Sequence, residues 1–371
     1  MTKQINFENL SPKQKIGQLF FIGLPGTEID EQTKNLLETI SPGGICLFSR
    51  NIKTAAQTRK LLDDVRKFLP IEPFLALDQE GGLVDRLRRI VTPMPSVKAI
   101  TEKGKTECVE RLASITAEIV RILGLNLNFA PVVDIIDEQR EKFVNGLYSR
   151  GFGKSKAEVV ELAGIYLDEL QNGGVLATIK HFPGYGATEV DSHEELPQVN
   201  LTNEQLSEND LIPYKEFFKT KDVNAVMVGH AAYPKTDLQE KDADGNFLPS
   251  SLSYNFVSKL LRGELGYKNL VLTDDLEMGA IIKNYGMGEA SKMALKAGND
   301  QLLICANVDQ MFEAFEAVSK AVESGEISSE RIDESLARIA NVKSKLLPPL
   351  DFDEDRILQI SNEIKHLAEM C

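Results

Sequence analysis

Tryptophan is absent from the 371 residues, and the aromatic complement is 17 Phe and 8 Tyr. No indole ring is therefore available as a stacking platform. Cysteine is scarce: Cys46, Cys108, Cys305 and Cys371 are scattered, and no two form a Cys-x-x-Cys pair. That excludes a small disulfide scaffold and fits reduced thiols in a cytoplasm. Positive charge is in deficit, since 42 Lys and Arg against 56 Asp and Glu leave a net −14. A chain this acidic is a poor binder of duplexes or phosphate backbones, whose affinity comes mainly from neutralising phosphates. Long apolar runs are also missing. The one around Phe20 to Leu24 is far too short to span a bilayer. The opening Met1-Thr-Lys-Gln-Ile-Asn-Phe7 lacks a basic stretch followed by an apolar one, so no signal peptide is expected. There is no internal repeat and no low-complexity segment. At 42% hydrophobic and 26% charged residues, the chain has ordinary globular composition, enough for one large domain or two average ones.

Short apolar, β-rich runs bounded by turn residues recur along the chain: 18–24, 44–48, 74–77, 126–133, 177–182, 225–228, 270–273 and 301–305. Their hydrophobicity is continuous rather than alternating, which predicts strands covered on both faces, as in a parallel sheet. Helical patterns lie between them. Ser155-Lys-Ala-Glu158 is a capping box, followed by Val159, Leu162, Ala163, Tyr166, Leu167 and Leu170 at helical spacing, and Gly173-Gly174 stops that helix. Residues 56–68, 107–123, 206–219, 287–297 and 311–324 read similarly. Eight strands alternating with helices predict an α/β fold, a single-domain (β/α)8 TIM-type barrel with a short C-terminal helical tail. The competing doubly wound sheet would need a Gly-x-Gly-x-x-Gly turn after an early strand, and none is present. The expected organisation is a barrel over 1–346. Residues 347–371 form a linker, broken by Pro348-Pro349, and a helix packed on the barrel through Ile357, Leu358, Ile360, Ile364 and Leu367.

In such a barrel, chemistry sits at the carboxyl ends of the strands, and polar residues collect there. The third strand ends in Asp78-Gln-Glu-Gly-Gly82, with Asp85 and Arg86 beyond. The fourth runs into Pro131-Val-Val-Asp134, with Arg150 after an insertion. The fifth ends in Lys180-His-Phe-Pro-Gly184, the sixth in Gly229-His230, the seventh in Asp274-Asp275. Downstream of the fifth strand, Asp191 stands two residues from His193. A carboxylate close to an imidazole can hold its tautomer and stabilise the imidazolium.

Lys180-His-Phe-Pro-Gly184 together with Asp191-Ser-His193 resembles glycoside hydrolase family 3, and more narrowly its single-barrel bacterial β-N-acetylhexosaminidases of cell-wall recycling. Asp78-Gln-Glu-Gly-Gly-Leu-Val-Asp-Arg86, Asn128-Phe-Ala-Pro-Val-Val-Asp134 and Thr273-Asp-Asp-Leu-Glu-Met278 agree in order and spacing, from about residue 10 to residue 345. The resemblance implies a retaining exo-β-N-acetylglucosaminidase acting on muropeptide fragments in the cytoplasm. Asp274 would be the nucleophile, and His193, supported by Asp191, the acid/base on a mobile loop. Asp78, Arg86, Arg150, Lys180 and His181 would bind the sugar. It implies no cofactor, no metal, no nucleic acid and no membrane, a small sugar as substrate, and a monomer or weak homodimer. A histidine acid/base suits this chemistry, since a neutral imidazole beside Asp274 avoids carboxylate repulsion, and the ordinary, unperturbed imidazole pKa of ~6.5 suits both protonation states. Two departures from the family pattern stand out. Tyr185 replaces a second histidine, and Tyr148-Ser-Arg150 matches only loosely. Larger members of that family follow the barrel with a second domain that donates an acid/base, and the stretch after Leu347 is not expected to form one.

Other residues have quieter expectations. Glu80 is read as a structural carboxylate against arginine or backbone amides, and Asp275 as a hydrogen-bonded support. His230 is read as filling the barrel top, Asn128 and Asp134 as barrel-lining hydrogen bonders, Met278 as core or pocket wall, and His366 as surface. Rival functions are a phosphorylase, a β-glucosidase, a metal-dependent barrel hydrolase and a non-catalytic sugar-binding barrel. The missing tryptophan favours removal of one terminal sugar held by hydrogen bonds over processing of long polymers.

Overall fold

All eight apolar runs become strands in the computed structural model, which describes residues 7–143, 145–189 and 195–371. The barrel strands are β1 (Phe20–Gly23), β2 (Gly44–Leu47), β3 (Phe74–Leu77), β4 (Leu127–Asn128), β5 (Leu176–Phe182), β6 (Ala225–Val228), β7 (Leu270–Asp275) and β8 (Gln301–Ile304). Each pairs in parallel with its sequence neighbours, and β1 pairs with both β2 and β8, closing the barrel. The strands are buried on both faces, which is why their sequences are apolar without alternation. Closure is tight at Gly23, where a Cβ would lie 1.9 Å from the Cys305 carbonyl oxygen. Only glycine fits there.

The helices follow their end signals. Ser155 Oγ accepts the Glu158 N–H and Glu158 Oε2 accepts the Ser155 N–H, opening the helix Lys156–Asn172. That helix buries Val159, Ala163, Tyr166, Leu167 and Leu170, with Val159, Leu167 and Leu170 each worth about 1.5–3 kcal/mol. Gly174, with φ +84°, turns the chain into β5. Two expectations change. The expected strand 126–133 pairs regularly only at Leu127–Asn128, because Pro131 has no N–H to offer a ladder. The expected helix 206–219 is broken into a π-helical turn, Leu206–Asp210, and a helix, Ile212–Thr220, with Pro213 at the junction.

The cysteine reading needs correction. Cys108 and Cys371 form a disulfide, while Cys46 and Cys305 are free and buried. Scattered spacing concealed the pair because 263 residues separate its members, which only the fold brings together. The bond ties the C-terminal helix Glu354–Met370 to the helix Thr106–Ile122, against which it buries Ile357, Ile360, Ile364 and Leu367. Leu358 is exposed instead. Arg356 crosses the seam to Glu118 at 2.6 Å and also pairs with Glu363 of its own helix at 2.6 Å. His366 is exposed, as expected.

The amino-terminal end of the barrel is plugged by Lys343, which is 1% exposed, donates to Gln18 Oε1 at 3.0 Å and lies over the Phe74 ring. Burial pushes its amino group down from the ordinary 10.5 to about 7. Between those values the unfolded chain holds more protons than the folded one, so this group makes stability rise with pH across that window. Lys343→Met is accordingly expected to be more stable than the native chain by about 2–4 kcal/mol at pH 7. The gain should shrink as pH approaches 10. Denaturant titrations across that range check it, and a pH-independent gap would contradict it.

Candidate active site

Two irregularities in the barrel ladder build the site. Along β5, Ile179 pairs with Val226 and Phe182 with Val228, so three steps on one strand oppose two on the other. Along β7, Leu272 pairs with Gln301 and Asp275 with Leu303, the same mismatch. In a regular strand adjacent side chains point to opposite faces. An extra residue re-aims them, and both Lys180 and His181, like both Asp274 and Asp275, line one cavity. Thr273 Oγ1 accepts the Leu303 N–H at 3.0 Å, replacing a ladder bond lost at the second irregularity.

The cavity holds about 430 Å³ at the carboxyl ends of the strands. Asp78, Arg86, Arg150, Lys180, His181, Asp274 and Asp275 line it, with Phe48, Phe129, Met227 and Met278 as apolar wall. Past β3, Gly81 and Gly82 take positive φ (+93° and +58°) and turn the chain back as a short hairpin. Asn128 grips the Gln79 peptide on both sides, Oδ1 accepting its N–H and Nδ2 donating to its carbonyl, each at 2.9 Å. Flanking Gln79, Asp78 and Glu80 are thereby fixed.

Glu80 is the hub of an ion network. Arg150 donates to it through Nε and Nη2 at 2.8 and 2.9 Å, and Lys180 Nζ lies 2.7 Å from Glu80 and from Asp78. Burial alone would raise the Glu80 carboxyl, but the Arg150 and Lys180 charges hold it well below the carboxylate range. The Lys180 ammonium, despite burial, is held above its ordinary range by Asp78 and Glu80. Arg86 Nη2 lies 3.6 Å from Asp78, its buried Nε has no hydrogen-bond partner among the described residues, and its guanidinium lies over Phe48. These cations arrive with their charge largely balanced, leaving directional donors rather than a bare positive field.

His181 is oriented by Asp134: its Nδ1 lies 2.8 Å from Asp134 Oδ2, and Tyr185 N–H donates to Oδ1 at 2.6 Å. Arg150 Nη2, 3.5 Å from His181 Nε2, can only donate, so the Nδ1–H tautomer satisfies both neighbours. Tyr185 is buried with its ring tilted on His181, the centroids 5.7 Å apart.

On β7, Asp274 Oδ1 accepts the Asp275 N–H at 2.8 Å. Burial raises the Asp274 carboxyl, but His230, His181, the Asp275 N–H and Lys180 outweigh it, and it sits below the ordinary range. Asp275 goes the other way: burial, Glu277 and Asp274 push it up to about 8. One of two adjacent carboxyls is thus charged at neutral pH and its neighbour holds a proton, a separation typical of groups with different catalytic tasks. Glu277 accepts the N–H groups of Cys305, Ala306 and Asn307, clamping the loops after β7 and β8 together.

Six expected site residues (Asp78, Arg86, Arg150, Lys180, His181 and Asp274) share the cavity, while Asp191 and His193 lie outside the described residues. Arg150, whose local sequence match was loose, is seated there by Glu80. Sequence reasoning gave no place to Glu277 or Phe48. Phe48 closes the second apolar run, just past β2, which was the available signal. Among the described residues no cluster of three metal-ligating side chains occurs, and no helix is long and apolar enough to cross a membrane.

Residues 12–342 match the model of the glycosyl hydrolase family 3 N-terminal domain. A β-hexosaminidase of Pseudomonas aeruginosa is 33% identical over 288 residues, covering 76% of this chain and 81% of that protein. The β-hexosaminidase A of Pseudoalteromonas piscicida is 30% identical over 86% of this chain, which spans only 56% of that longer protein. Among solved structures, a family 3 β-N-acetylglucosaminidase from Paenibacillus sp. superposes with a TM-score of 0.85 at 35% identity, covering 97% of this chain and 69% of that one.

Proposed function

Because the chain belongs to glycosyl hydrolase family 3, we propose that it is a retaining exo-β-N-acetylglucosaminidase that removes a terminal β-linked N-acetylglucosamine. The observation that carries this reading is the Asp274 carboxylate lining the same cavity as Asp78, Arg86, Arg150, Lys180 and His181, with the charges around it favouring its ionised form. The relatives named β-hexosaminidase and β-N-acetylglucosaminidase support the substrate class.

In this reading Asp274 attacks the anomeric carbon while His193 protonates the departing glycosidic oxygen. The bond to the leaving group breaks as the glycosyl ester forms. His193, now neutral and supported by Asp191, takes a proton from water, which attacks the same carbon, releases Asp274 and leaves the sugar with its original configuration. Asp78 accepts from ring hydroxyls, and Arg86, Arg150 and Lys180 donate to hydroxyls and the acetamido carbonyl. His181, held by Asp134, adds a ring nitrogen. Soluble muropeptide fragments are the natural substrate in this scheme, because nothing in an acidic chain favours an anionic wall polymer. The disulfide removes the cysteine argument for a reducing cytoplasm. A cytoplasmic site of action rests on the recycling role alone.

His193→Ala tests the scheme. It should depress hydrolysis of a glycoside with a poor leaving group by a further factor of about 10²–10³ relative to an activated aryl glycoside, because only the former needs the acid. Equal losses on both would contradict an acid at that position. Run in phosphate buffer on aryl glycosides with and without the acetamido group, the same assay separates the rivals. Free N-acetylglucosamine is the expected product, against sugar phosphate for phosphorolysis or preference for the glucoside.

A further inference from the structure

His230 does not line the cavity and is fully buried, yet both its ring nitrogens are engaged on the nucleophile's side of the barrel. Nε2 lies 3.0 Å from the Asp275 carbonyl oxygen, and Nδ1 lies 2.7 Å from Ser251 Oγ. A carbonyl only accepts, so Nε2 carries the proton. Nδ1 and the Ser251 hydroxyl share the other hydrogen bond. Ser251 is itself fixed: its carbonyl accepts from Asn299 Nδ2 at 2.8 Å. Its neighbour Ser250 donates through Oγ to the Gly229 carbonyl at 2.7 Å.

The position of this contact matters. Backbone pairing between β6 and β7 ends at Val228–Thr273, one residue before Asp274. On the opposite edge, the β7–β8 ladder is irregular across this very segment. Asp274 therefore stands where β7 has lost regular support on both edges. Its carboxylate accepts the Asp275 N–H, and the carbonyl of that same residue, which also accepts the Met278 N–H at 3.0 Å, is what His230 grips. The His230 bond continues the β6 edge by a side chain where the backbone has stopped.

We propose that His230, oriented by Ser251, is a positioning residue that holds the Asp274 carboxylate in line for attack without touching the sugar. The proposal rests on Asp274 being the nucleophile. Misplacement of a reacting group by about 1 Å costs about 10²-fold, which sets the scale of the effect. A residue needed only for folding would change the amount of competent enzyme and the melting temperature, but not the rate at each competent site.

The test is single-turnover release of an activated aryl group from its β-N-acetylglucosaminide, with enzyme in saturating excess, because that rate is independent of the competent fraction. His230→Ala should slow it about 10²-fold and Ser251→Ala about tenfold, with the enzyme concentration for half-saturation within about twofold of the native value. His230→Gln retains a donor on a side chain of similar reach and should recover most of the loss. Rates within twofold of native in Ser251→Ala and in a folded His230 variant would overturn the proposal. Should His230→Ala fail to fold, Ser251→Ala and His230→Gln decide alone. Asp274→Asn is run alongside. If it stays active the nucleophile assignment has failed, whereas if it is inactive and the His230 and Ser251 variants are unimpaired, only the positioning role has failed.

Discussion

Asp274→Asn is expected to lower kcat on an aryl β-N-acetylglucosaminide at least about 10⁴-fold, the scale of losing a nucleophile, while Asp275→Asn loses no more than about tenfold near pH 7. The asymmetry follows from opposite electrostatic settings of neighbouring carboxyls. Asp274 is held ionised by the Asp275 N–H, Lys180 and the histidines beside it. Asp275, pushed up to about 8 by burial and by Glu277, carries a proton at neutral pH and has no lone-pair charge to offer an anomeric carbon. Asparagine is a neutral isostere of that protonated acid, so the substitution leaves the charge balance unchanged. The sign of the pH effect follows. As pH rises through about 8, native Asp275 ionises beside Asp274 and adds a second negative charge to the cavity. On an activated aryl glycoside, whose departure does not need the His193 acid, native activity should fall on that alkaline limb, and the Asp275→Asn profile should lack the fall. Matching alkaline limbs in the two proteins would contradict the assignment.

The largest effect on stability is expected at Glu80. The carboxylate is 3% exposed and holds Arg150 by two hydrogen bonds and Lys180 by a third contact at 2.7 Å. Removing one member of a buried ion network leaves uncompensated charge, which costs about 3–5 kcal/mol. Glu80→Gln preserves shape but leaves Arg150 and Lys180 with Asp78 as their remaining carboxylate in the network. Unfolding by denaturant should show that loss, with an unchanged slope. Activity should fall as well, chiefly through KM, since Arg150 and Lys180 lose the partner that aims them. Native-like stability in Glu80→Gln would show that the network contributes little.

These two sites also mark what the sequence could and could not convey. Strand positions were legible because a strand covered on both faces needs an unbroken apolar run, and that signal is local. All eight runs became barrel strands. Helix ends were legible where a cap is local, as at Ser155–Glu158. The ladder irregularities that turn Lys180 with His181, and Asp274 with Asp275, toward the same cavity leave no local trace. They are a property of two strands compared with each other. Glu80 was read as structural against arginine, and it is, but the partners lie 70 and 100 residues away and only the barrel brings them together. Asp134, read as a lining hydrogen bonder, in fact orients His181. The Cys108–Cys371 pair was misread for the same reason: spacing along the chain says nothing about residues joined by a helix returning across the barrel exterior.

Retention through Asp274 requires a covalent glycosyl ester at that one carboxylate. The direct measurement is peptide mass spectrometry after exposure to a fluorinated N-acetylglucosaminyl fluoride, which forms the ester readily and releases it slowly. One glycosyl adduct is predicted, on the peptide spanning β7, with fragmentation placing it on Asp274. An adduct on Asp275 or elsewhere, or turnover of the reagent with no adduct at all, would contradict the account.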